Sequence, residues 1–356
     1  MRLGRLNLVL ALALGLGSLT CGAGAAVVEP VLASVCYHRF APETRKDDYS
    51  ISLERLGAQL DWLKAEGWQS VSLTQVGAAL AGQGAALPPK AVLLSVDDGY
   101  RSGATGAAAF EARGFHAVYF VYPEVLGRGK FMGVAELKDL EGHGHEVASH
   151  SWSHPKVAKV GPGMDPGAFA AFVKHELLGA RLRLQELLGH PVTALAWPYG
   201  AYNTVLAQAA ADAGYTQQWS VSGGVNLQSA LDGRRLRRVL LMGRTPLESF
   251  KRHLSRLPAR VKVIGLEEGA LVYQSQLPLA VKVESAKGDG PVSVLLGEAP
   301  TSFDAGVSVL PQGLALGFHY LTIQQGAGPA MRRTPLLFQV APDAWRPHFA
   351  ALFKQP

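Results

Sequence analysis

Two adjacent carboxylates, Asp97 and Asp98, follow the apolar segment that runs from Ala91 to Val96. A run of this kind predicts a fully buried strand in a parallel sheet, and such a strand delivers its carboxyl end to a pocket. Neighbouring carboxylates are costly to hold together unless a cation neutralises one of them or a proton is shared, so the pair indicates a functional site. A simple turn is the alternative, because an aspartate followed by glycine, here Gly99, is also common in hairpins.

Two histidines four residues apart, His150 and His154, lie about fifty residues further along the chain. This spacing predicts that both imidazoles project from one face of a helical turn, which Pro155 ends, and that they can reach one metal ion. One aspartate with two histidines leaves coordination positions open for water and substrate, as catalytic metal sites do. The histidine pair alone is weak evidence, but its combination with the aspartates and with the segment 197–200, sequence WPYG, is specific.

These segments resemble, in order and in spacing, three motifs of the polysaccharide deacetylase family of carbohydrate esterases. The family motifs Thr/Ser-Phe-Asp-Asp-Gly, His-Ser-x-x-His and Arg-x-Pro-Tyr-Gly correspond here to residues 95–99, 150–154 and 196–200. The resemblance spans roughly residues 30 to 255 and is greatest to the branch that deacetylates poly-β-1,6-N-acetylglucosamine in biofilm matrices. It implies removal of acetyl groups from an N-acetylglucosamine-containing polysaccharide. Peptidoglycan or chitooligosaccharide deacetylation, and a weakly active glycan-binding protein, are the alternatives.

The resemblance also implies a role for each motif residue. Asp98, His150 and His154 would bind a divalent metal, with zinc favoured by the ligand types and cobalt, nickel or iron also suited to them. Asp97 would be the base that takes a proton from water. His38, which stands in the place of the branch's early Tyr-His pair, would be the acid that protonates the departing amine. By its local pattern alone, a histidine after an apolar strand is more often structural.

The third motif departs from the family pattern at Ala196, where most relatives carry an arginine that orients the base. Either another cation substitutes for it, or the base is held by the metal site and the backbone. The backbone N–H of Tyr199 is the group that the family uses to help hold the oxyanion. Sugar rings stack on aromatic side chains, although these side chains could also belong to the core. The candidate substrate contacts are therefore Trp152, Trp197, Pro198 and Trp219 together with Tyr199.

The predicted fold class is α/β, because apolar strands alternate with helical segments and so favour a parallel sheet. The resemblance narrows this to a distorted (β/α) barrel of the polysaccharide deacetylase type. From Leu257 onward, short β-rich runs separated by Gly, Pro and Asp turns predict an antiparallel, immunoglobulin-like sandwich. We expect a signal peptide at 1–26, the deacetylase domain at 27–256, the β-sandwich accessory domain at 257–342 and a C-terminal tail at 343–356.

The N-terminus predicts export. Arg2 and Arg5 precede an apolar run and then small residues, as in a secretory signal peptide, so a periplasmic or secreted protein is expected. Cys21 leaves a lipid anchor as an alternative. No other segment is apolar enough to cross a membrane, and the accessory domain could contact the envelope or the export machinery.

The chain has a formal net charge of +6, which falls to +4 without Arg2 and Arg5. This mild charge does not favour nucleic-acid binding, because the densest cluster, residues 234–238, is interrupted. We interpret that cluster as a solvated rim that could touch an anionic glycan. Cys36 is expected to be a buried, inert thiol, and Glu176 is expected on an exposed helix face.

Overall fold

The computed structural model describes residues 29–43, 48–160 and 163–353. The predicted signal peptide and Cys21 lie outside these residues. Among them, no helix has both the length and the apolar character that a bilayer span requires.

The described chain begins with an α/β region and ends with a β-rich region. The strands are β1 (Val31–Tyr37), β2 (Arg39–Ala41), β3 (Ser50–Ser52), β4 (Gln69–Ser70), β5 (Lys90–Asp97), β6 (Ala117–Val121), β7 (Glu146–Ser149), β8 (Ala194–Ala196), β9 (Gln217–Trp219), β10 (Asn226–Leu227), β11 (Val239–Leu240), β12 (Val261–Ile264), β13 (Ala270–Tyr273), β14 (Leu279–Ser285), β15 (Val292–Leu296), β16 (Ala299–Pro300), β17 (Phe303–Asp304), β18 (Val307–Leu310), β19 (Gly317–Gln325) and β20 (Arg332–Ala341). The α-helices are α1 (Leu53–Ala65), α2 (Leu73–Leu80), α3 (Arg101–Ala104), α4 (Ala107–Glu111), α5 (Val134–Gly142), α6 (Val157–Val160), α7 (Pro166–Lys174), α8 (Ala180–Leu188), α9 (Thr204–Asp212), α10 (Leu247–Ser255) and α11 (Arg346–Ala351).

The α/β region is built on one curled sheet with the strand order β10-β1-β5-β6-β7-β8-β9. Strands β1 and β5 to β9 run parallel, as their apolar sequences predict. Their carboxyl ends therefore meet at one edge of the sheet, where polar residues after several different strands can converge.

The segment from Leu236 to Leu240 lies between the two ends of this sheet. At one end, the Leu236 N–H donates to the Gln218 carbonyl, and the Leu236 carbonyl accepts from the Ser220 N–H, so the segment is joined to β9 and the residue after it. At the other end, β11 pairs in parallel with β1. The segment thus bridges the sheet into a distorted barrel, in agreement with the predicted fold class.

Successive side chains along each strand point alternately toward the surrounding helices and into the barrel interior. In β5, Val92, Leu94 and Val96 belong to the apolar cluster that includes the surrounding helices. Leu93 belongs to a second cluster, inside the barrel. Asp97 lies four residues after Leu93, on the same face of the strand, and therefore points into the barrel.

The β-rich region contains two sheets, with the orders β12-β14-β18-β17 and β13-β20-β19-β15-β16, that contribute to one apolar cluster. All of their pairings are antiparallel except one: β13 pairs in parallel with β20. The prediction of a wholly antiparallel arrangement is therefore wrong at this edge. A parallel pair is possible here because a long stretch of chain separates the two strands.

The two regions share a buried polar interface. The Gln339 side chain accepts a hydrogen bond from Asn203 Nδ2 at 2.9 Å and donates to the Ala158 carbonyl at 2.8 Å. Glu268 accepts from Arg237 Nη2 at 2.8 Å. The segment predicted as a tail contains α11, which packs against α7 through the rings of Phe349 and Phe169. The β-rich region is therefore firmly attached to the α/β region.

Candidate active site

A cavity of about 440 Å³ opens at the carboxyl edge of the curled sheet. Its polar groups come from the ends of β1, β5 and β7 and from the turn after β8, as the topology requires. It is lined by Cys36, His38, Arg39, Tyr49, Asp97, Asp98, Tyr100, Tyr122, His150, His154, Trp197, Tyr199, Gly200, Val221 and Leu240.

The three predicted metal ligands converge in this cavity. Asp98 Oδ1 lies 3.6 Å from His150 Nε2 and 3.2 Å from His154 Nε2. The three ligand atoms all lie within 4.8 Å of one another. His150 Nδ1 lies 2.7 Å from the Ala196 carbonyl, an acceptor that places the proton on Nδ1 and leaves Nε2 free to bind a metal.

The chemistry of this group fits a divalent cation. Asp98 Oδ1 is buried and has no hydrogen-bond partner among the described residues. Burial alone would raise the pKa of the Asp98 carboxyl, but His150 and His154 lower the pKa more strongly. Asp98 is therefore ionised at neutral pH, as a ligand must be.

The histidine motif is a loop and not a helical turn, so the predicted helical geometry is wrong. Ser151 and His154 have φ angles of 64° and 61°, in the left-handed region. The Ser151 hydroxyl accepts a hydrogen bond from the His154 N–H at 3.1 Å and stabilises this conformation. The metal-site geometry thus depends on a strained loop, and something must hold that loop in place.

Glu176 anchors this loop. Its carboxylate accepts hydrogen bonds from the backbone N–H groups of Trp152 and Ser153, each at 3.0 Å, and from the Ser153 hydroxyl at 2.6 Å. Glu176 is only 1% exposed and lies in a π-helical turn between α7 and α8. The prediction of an exposed glutamate is therefore wrong, because the extra residue of a π turn rotates the helix face.

The predicted base, Asp97, forms a buried bidentate ion pair with Arg238. Arg238 Nη1 donates to Asp97 Oδ1 at 2.7 Å, and Nη2 donates to Oδ2 at 2.9 Å. Arg238 is fully buried, so the prediction that the whole 234–238 cluster is a solvated rim is wrong at this position. Burial alone would raise the pKa of Asp97, but Arg238 and His150 lower the pKa below its ordinary value. Arg238 thus places a cation beside Asp97, although residue 196 is alanine.

Cys36 completes the surroundings of Asp97. Burial raises the pKa of the Cys36 thiol, and the neutral thiol donates to Asp97 Oδ2 at 3.2 Å. This agrees with the predicted buried thiol. Cys36, His38 and Asp97 also have ligand atoms within 4.8 Å of one another, but both Asp97 oxygens already accept from Arg238. A cation there would meet the guanidinium charge, so this second cluster is a poor metal site.

His38 faces the same cavity from the end of β1. Burial lowers the pKa of its imidazole, although Asp97 and Asp98 oppose the shift. His38 Nδ1 is buried without a hydrogen-bond partner among the described residues. Its ring lies 4.9 Å from that of Tyr49. The side chain is thus close to the predicted base and is not committed to a structural hydrogen bond through Nδ1.

The predicted substrate contacts differ in their access to the cavity. Tyr199 is 57% exposed, has a φ angle of 59° and places its ring 4.7 Å from that of His154. Trp197 lines the cavity wall. Trp219 is fully buried in the apolar cluster inside the barrel, which contradicts a role in substrate contact. Pro198 is buried, and Trp152 packs on the ring of His175, so neither lines this cavity.

Two of the functional residues were missed by sequence reasoning. Arg238 carries a signal that could have been read, because Leu236, Arg238 and Leu240 alternate as in a strand whose inner face is buried. Glu176 carries no such signal, since a π turn has no recognisable sequence pattern here.

Comparison with known proteins agrees with this geometry. Residues 84–218 match the family described as "Polysaccharide deacetylase". The poly-beta-1,6-N-acetyl-D-glucosamine N-deacetylase of Escherichia coli (strain K12) is 25% identical over 285 residues, which are 68% of this chain and 42% of that relative. The chain thus spans less than half the length of this curated relative.

Two solved structures have a similar fold. IcaB from Ammonifex degensii is 25% identical, with a TM-score of 0.54 over 62% of this chain and 94% of that structure. The Streptococcus pyogenes deacetylase PplD, solved in complex with acetate, is 18% identical, with a TM-score of 0.55 over 63% of this chain and 98% of that structure. At 18% identity the likeness shows the fold alone.

The fold, the three motifs and the family match together define the class of this protein. The chain contains a polysaccharide deacetylase domain. Members of this family are hydrolases that act on carbon–nitrogen bonds of acetylated polysaccharides.

Proposed function

We propose that this protein is a metal-dependent N-deacetylase that removes acetyl groups from N-acetylglucosamine units of an extracellular or envelope polysaccharide. The observation that carries the proposal is the convergence of the Asp98, His150 and His154 ligand atoms beside a carboxylate, Asp97, that Arg238 keeps ionised. The activity named for the Escherichia coli relative supports poly-β-1,6-N-acetylglucosamine as the polymer.

The metal site supports zinc as the first candidate, because two imidazoles and one carboxylate are common catalytic zinc ligands. Cobalt, nickel or iron would suit the same donors. When bound, the ion supplies Lewis-acid activation of water and of the acetyl carbonyl.

The remaining groups divide the proton transfers between them. Asp97 is ionised and can take a proton from the attacking water. The backbone N–H of Tyr199, presented by its left-handed turn, can donate to the oxyanion that develops on the acetyl oxygen. His38 can give a proton to the nitrogen as the carbon–nitrogen bond breaks. The products are acetate and a glucosamine unit.

The alternative of a weakly active glycan-binding protein loses its main support. That alternative assumed that Ala196 leaves the base without a cation, whereas Arg238 pairs with Asp97 through both oxygens. Peptidoglycan and chitooligosaccharides remain the competing substrates.

We also propose that the β-rich region is an immunoglobulin-like accessory domain, with boundaries near residues 256 and 342. The two sheets around one apolar cluster support this division. Its buried contacts with the α/β region support a structural role in holding the loop before α9, through Asn203, beside any contact with the envelope. Export to the periplasm or the exterior is consistent with an extracellular polymer.

The function can be tested by measuring acetate release from a set of defined N-acetylglucosamine polymers. The set should include β-1,6-linked and β-1,4-linked oligomers and peptidoglycan, each with and without a chelator. We expect chelator-sensitive release that is greatest with the β-1,6-linked oligomer. Release from no polymer, or release indifferent to chelation, would contradict the proposal.

Replacement of His38 by alanine tests its role as the acid. We expect kcat for the amide substrate to fall by about 10²–10⁴-fold with metal content unchanged, because the amine leaving group needs a proton. The protonated imidazole is lost as pH rises through its lowered pKa, so the alkaline limb of kcat/KM that it causes should disappear in the variant. An activated aryl acetate, whose leaving group needs no proton, should be hydrolysed almost normally. Equal losses on both substrates would refute this role.

A further inference from the structure

A second cavity, of about 410 Å³, lies where the α/β region meets the β-rich region. Its walls include the loop after β9, the end of α10 and the strands β19 and β20. None of the motifs discussed above contributes to it. Two guanidinium groups, those of Arg256 and Arg333, face this space, and the His253 side chain lies beside them.

These cations are not neutralised by the protein. Within the described ranges, neither Arg256 nor Arg333 forms an ion pair or a hydrogen bond through its guanidinium group. Arg333 Nε is buried with no hydrogen-bond partner. Glu298, at the exposed edge of the cavity, forms no ion pair with either arginine. A buried donor in this state costs free energy unless a ligand or water satisfies it.

The positive charge of this cluster lowers the pKa values of two of its own residues. Desolvation and the neighbouring charges of Arg333 and Arg252 lower the pKa of Arg256. Desolvation and the charges of Arg252, Arg256 and Arg333 lower the pKa of His253. Mutual repulsion of this kind is relieved by a bound anion, and guanidinium groups match carboxylate and phosphate oxygens in geometry.

The second cavity adjoins the candidate active site. Val221 lines both cavities, and the residues that follow it, Ser222 to Gly224, line only the second. Val221 also packs closely on the turn that carries Tyr199, because a Cβ on Gly200 would fall 2.4 Å from Val221 Cγ2. A glycan chain that leaves the active site across Val221 would therefore reach the cationic cavity.

We propose that this cavity binds an anionic substituent, a carboxylate or a phosphate ester, carried by the same glycan whose N-acetyl group occupies the active site. The proposal rests on the proposed deacetylase function and specifies its substrate further. The cluster also repels an ammonium group, so a deacetylated glucosamine unit is disfavoured in this cavity. The favoured substrate is thus a glycan with acidic groups near the unit to be deacetylated.

The test compares a neutral N-acetylglucosamine oligomer with the same oligomer after partial O-carboxymethylation. We expect the full chain to bind the carboxymethylated oligomer about tenfold more tightly in the presence of a chelator, and to show a similar gain in kcat/KM when loaded with metal. Arg256→Gln combined with Arg333→Gln should abolish this gain and leave turnover of the neutral oligomer unchanged. Arg183→Gln combined with Arg234→Gln removes two exposed arginines outside this cavity, which contact Glu186 and Gln208, and is the charge-matched control that should preserve the gain.

The outcomes separate this proposal from the proposed function. If neither oligomer releases acetate, the deacetylase function fails. If the neutral oligomer is deacetylated but carboxymethylation brings no gain, or the arginine variants keep the gain, the anionic subsite fails. Inorganic phosphate serves as a free-anion probe: binding to the two arginines as tight as that of the carboxymethylated oligomer would overturn a glycan-borne ligand.

Discussion

Replacement of His154 by alanine is expected to remove both the metal and the activity. The variant loses one of three protein ligands, and its metal affinity should fall by more than about 100-fold, since loss of a supporting residue outside the ligand set already costs about 10–100-fold. His154 is the favourable position for this test because its side chain is 18% exposed, so the fold should tolerate the change. Metal content by elemental analysis and acetate release from the same preparation measure the two effects.

The matched control is His143→Ala. His143 is exposed and lies outside the site, so its variant should keep full metal content and activity. Thermal denaturation of both variants checks that the fold is intact. A His154→Ala protein that retains one metal ion per chain would exclude the proposed ligand set, and one that loses the metal but keeps its activity would exclude metal dependence.

Replacement of Arg238 by leucine is expected to disable the base and to destabilise the protein. The change leaves the Asp97 carboxylate buried without its guanidinium partner, and breaking a buried pair in this way typically costs about 3–5 kcal/mol in the free energy of unfolding. Asp97 then relieves the cost by taking up a proton. At neutral pH the base is lost, and kcat should fall by about 10²–10⁴-fold.

The pH dependence distinguishes this mechanism from general damage. In the wild type, the pKa of Asp97 is lowered, so the stability from its ion pair is present above the ordinary aspartate pKa and is lost as pH falls through the lowered value. In Arg238→Leu, burial instead raises the pKa of Asp97. The acid limb of kcat/KM should therefore move to higher pH and approach the alkaline limb, which narrows the pH range of activity.

Two further variants sharpen the test of Arg238. Arg238→Lys keeps a positive charge but loses the bidentate geometry, so its acid limb should lie between those of the wild type and the leucine variant. Arg234→Leu removes an exposed arginine of the same cluster, whose side chain donates to Gln208, and should leave the pH profile unchanged. In an Asp97→Asn background, loss of Arg238 should bring little additional loss of kcat, because the two residues act as one unit. Additive losses would show that Arg238 acts elsewhere.

The proposed role of Asp97 as the base would also account for alanine at the position of the usual arginine. A cation beside the base can come from any part of the chain that reaches it. Arg238 reaches Asp97 from the segment that bridges β9 and β1, whereas Ala196 uses its carbonyl to orient His150. The Asp97 carboxylate is thereby bound by a cation from the 236–240 segment and not by one from the end of β8.

The sequence alone determined the parts of the site that depend on local pattern. Apolar runs predicted the buried parallel strands, and the polar residues directly after β1, β5 and β7 had to meet at one edge of the sheet because parallel strands end there. Asp98 and His150 could therefore be expected in one site before the structure was known, whereas the role of His38 was implied by the family resemblance.

The tertiary structure decided the contacts that join distant segments. Arg238 and Asp97 are 141 residues apart, and their pairing exists only because the 236–240 segment bridges the two ends of the curled sheet. The loop around His154 is held by Glu176, whose direction depends on a π turn, and Trp219 is buried because its strand parity points it into the barrel. Composition and spacing carry no information on such pairings, because the free energy that selects them comes from burial and desolvation in the assembled barrel and not from neighbours in the chain.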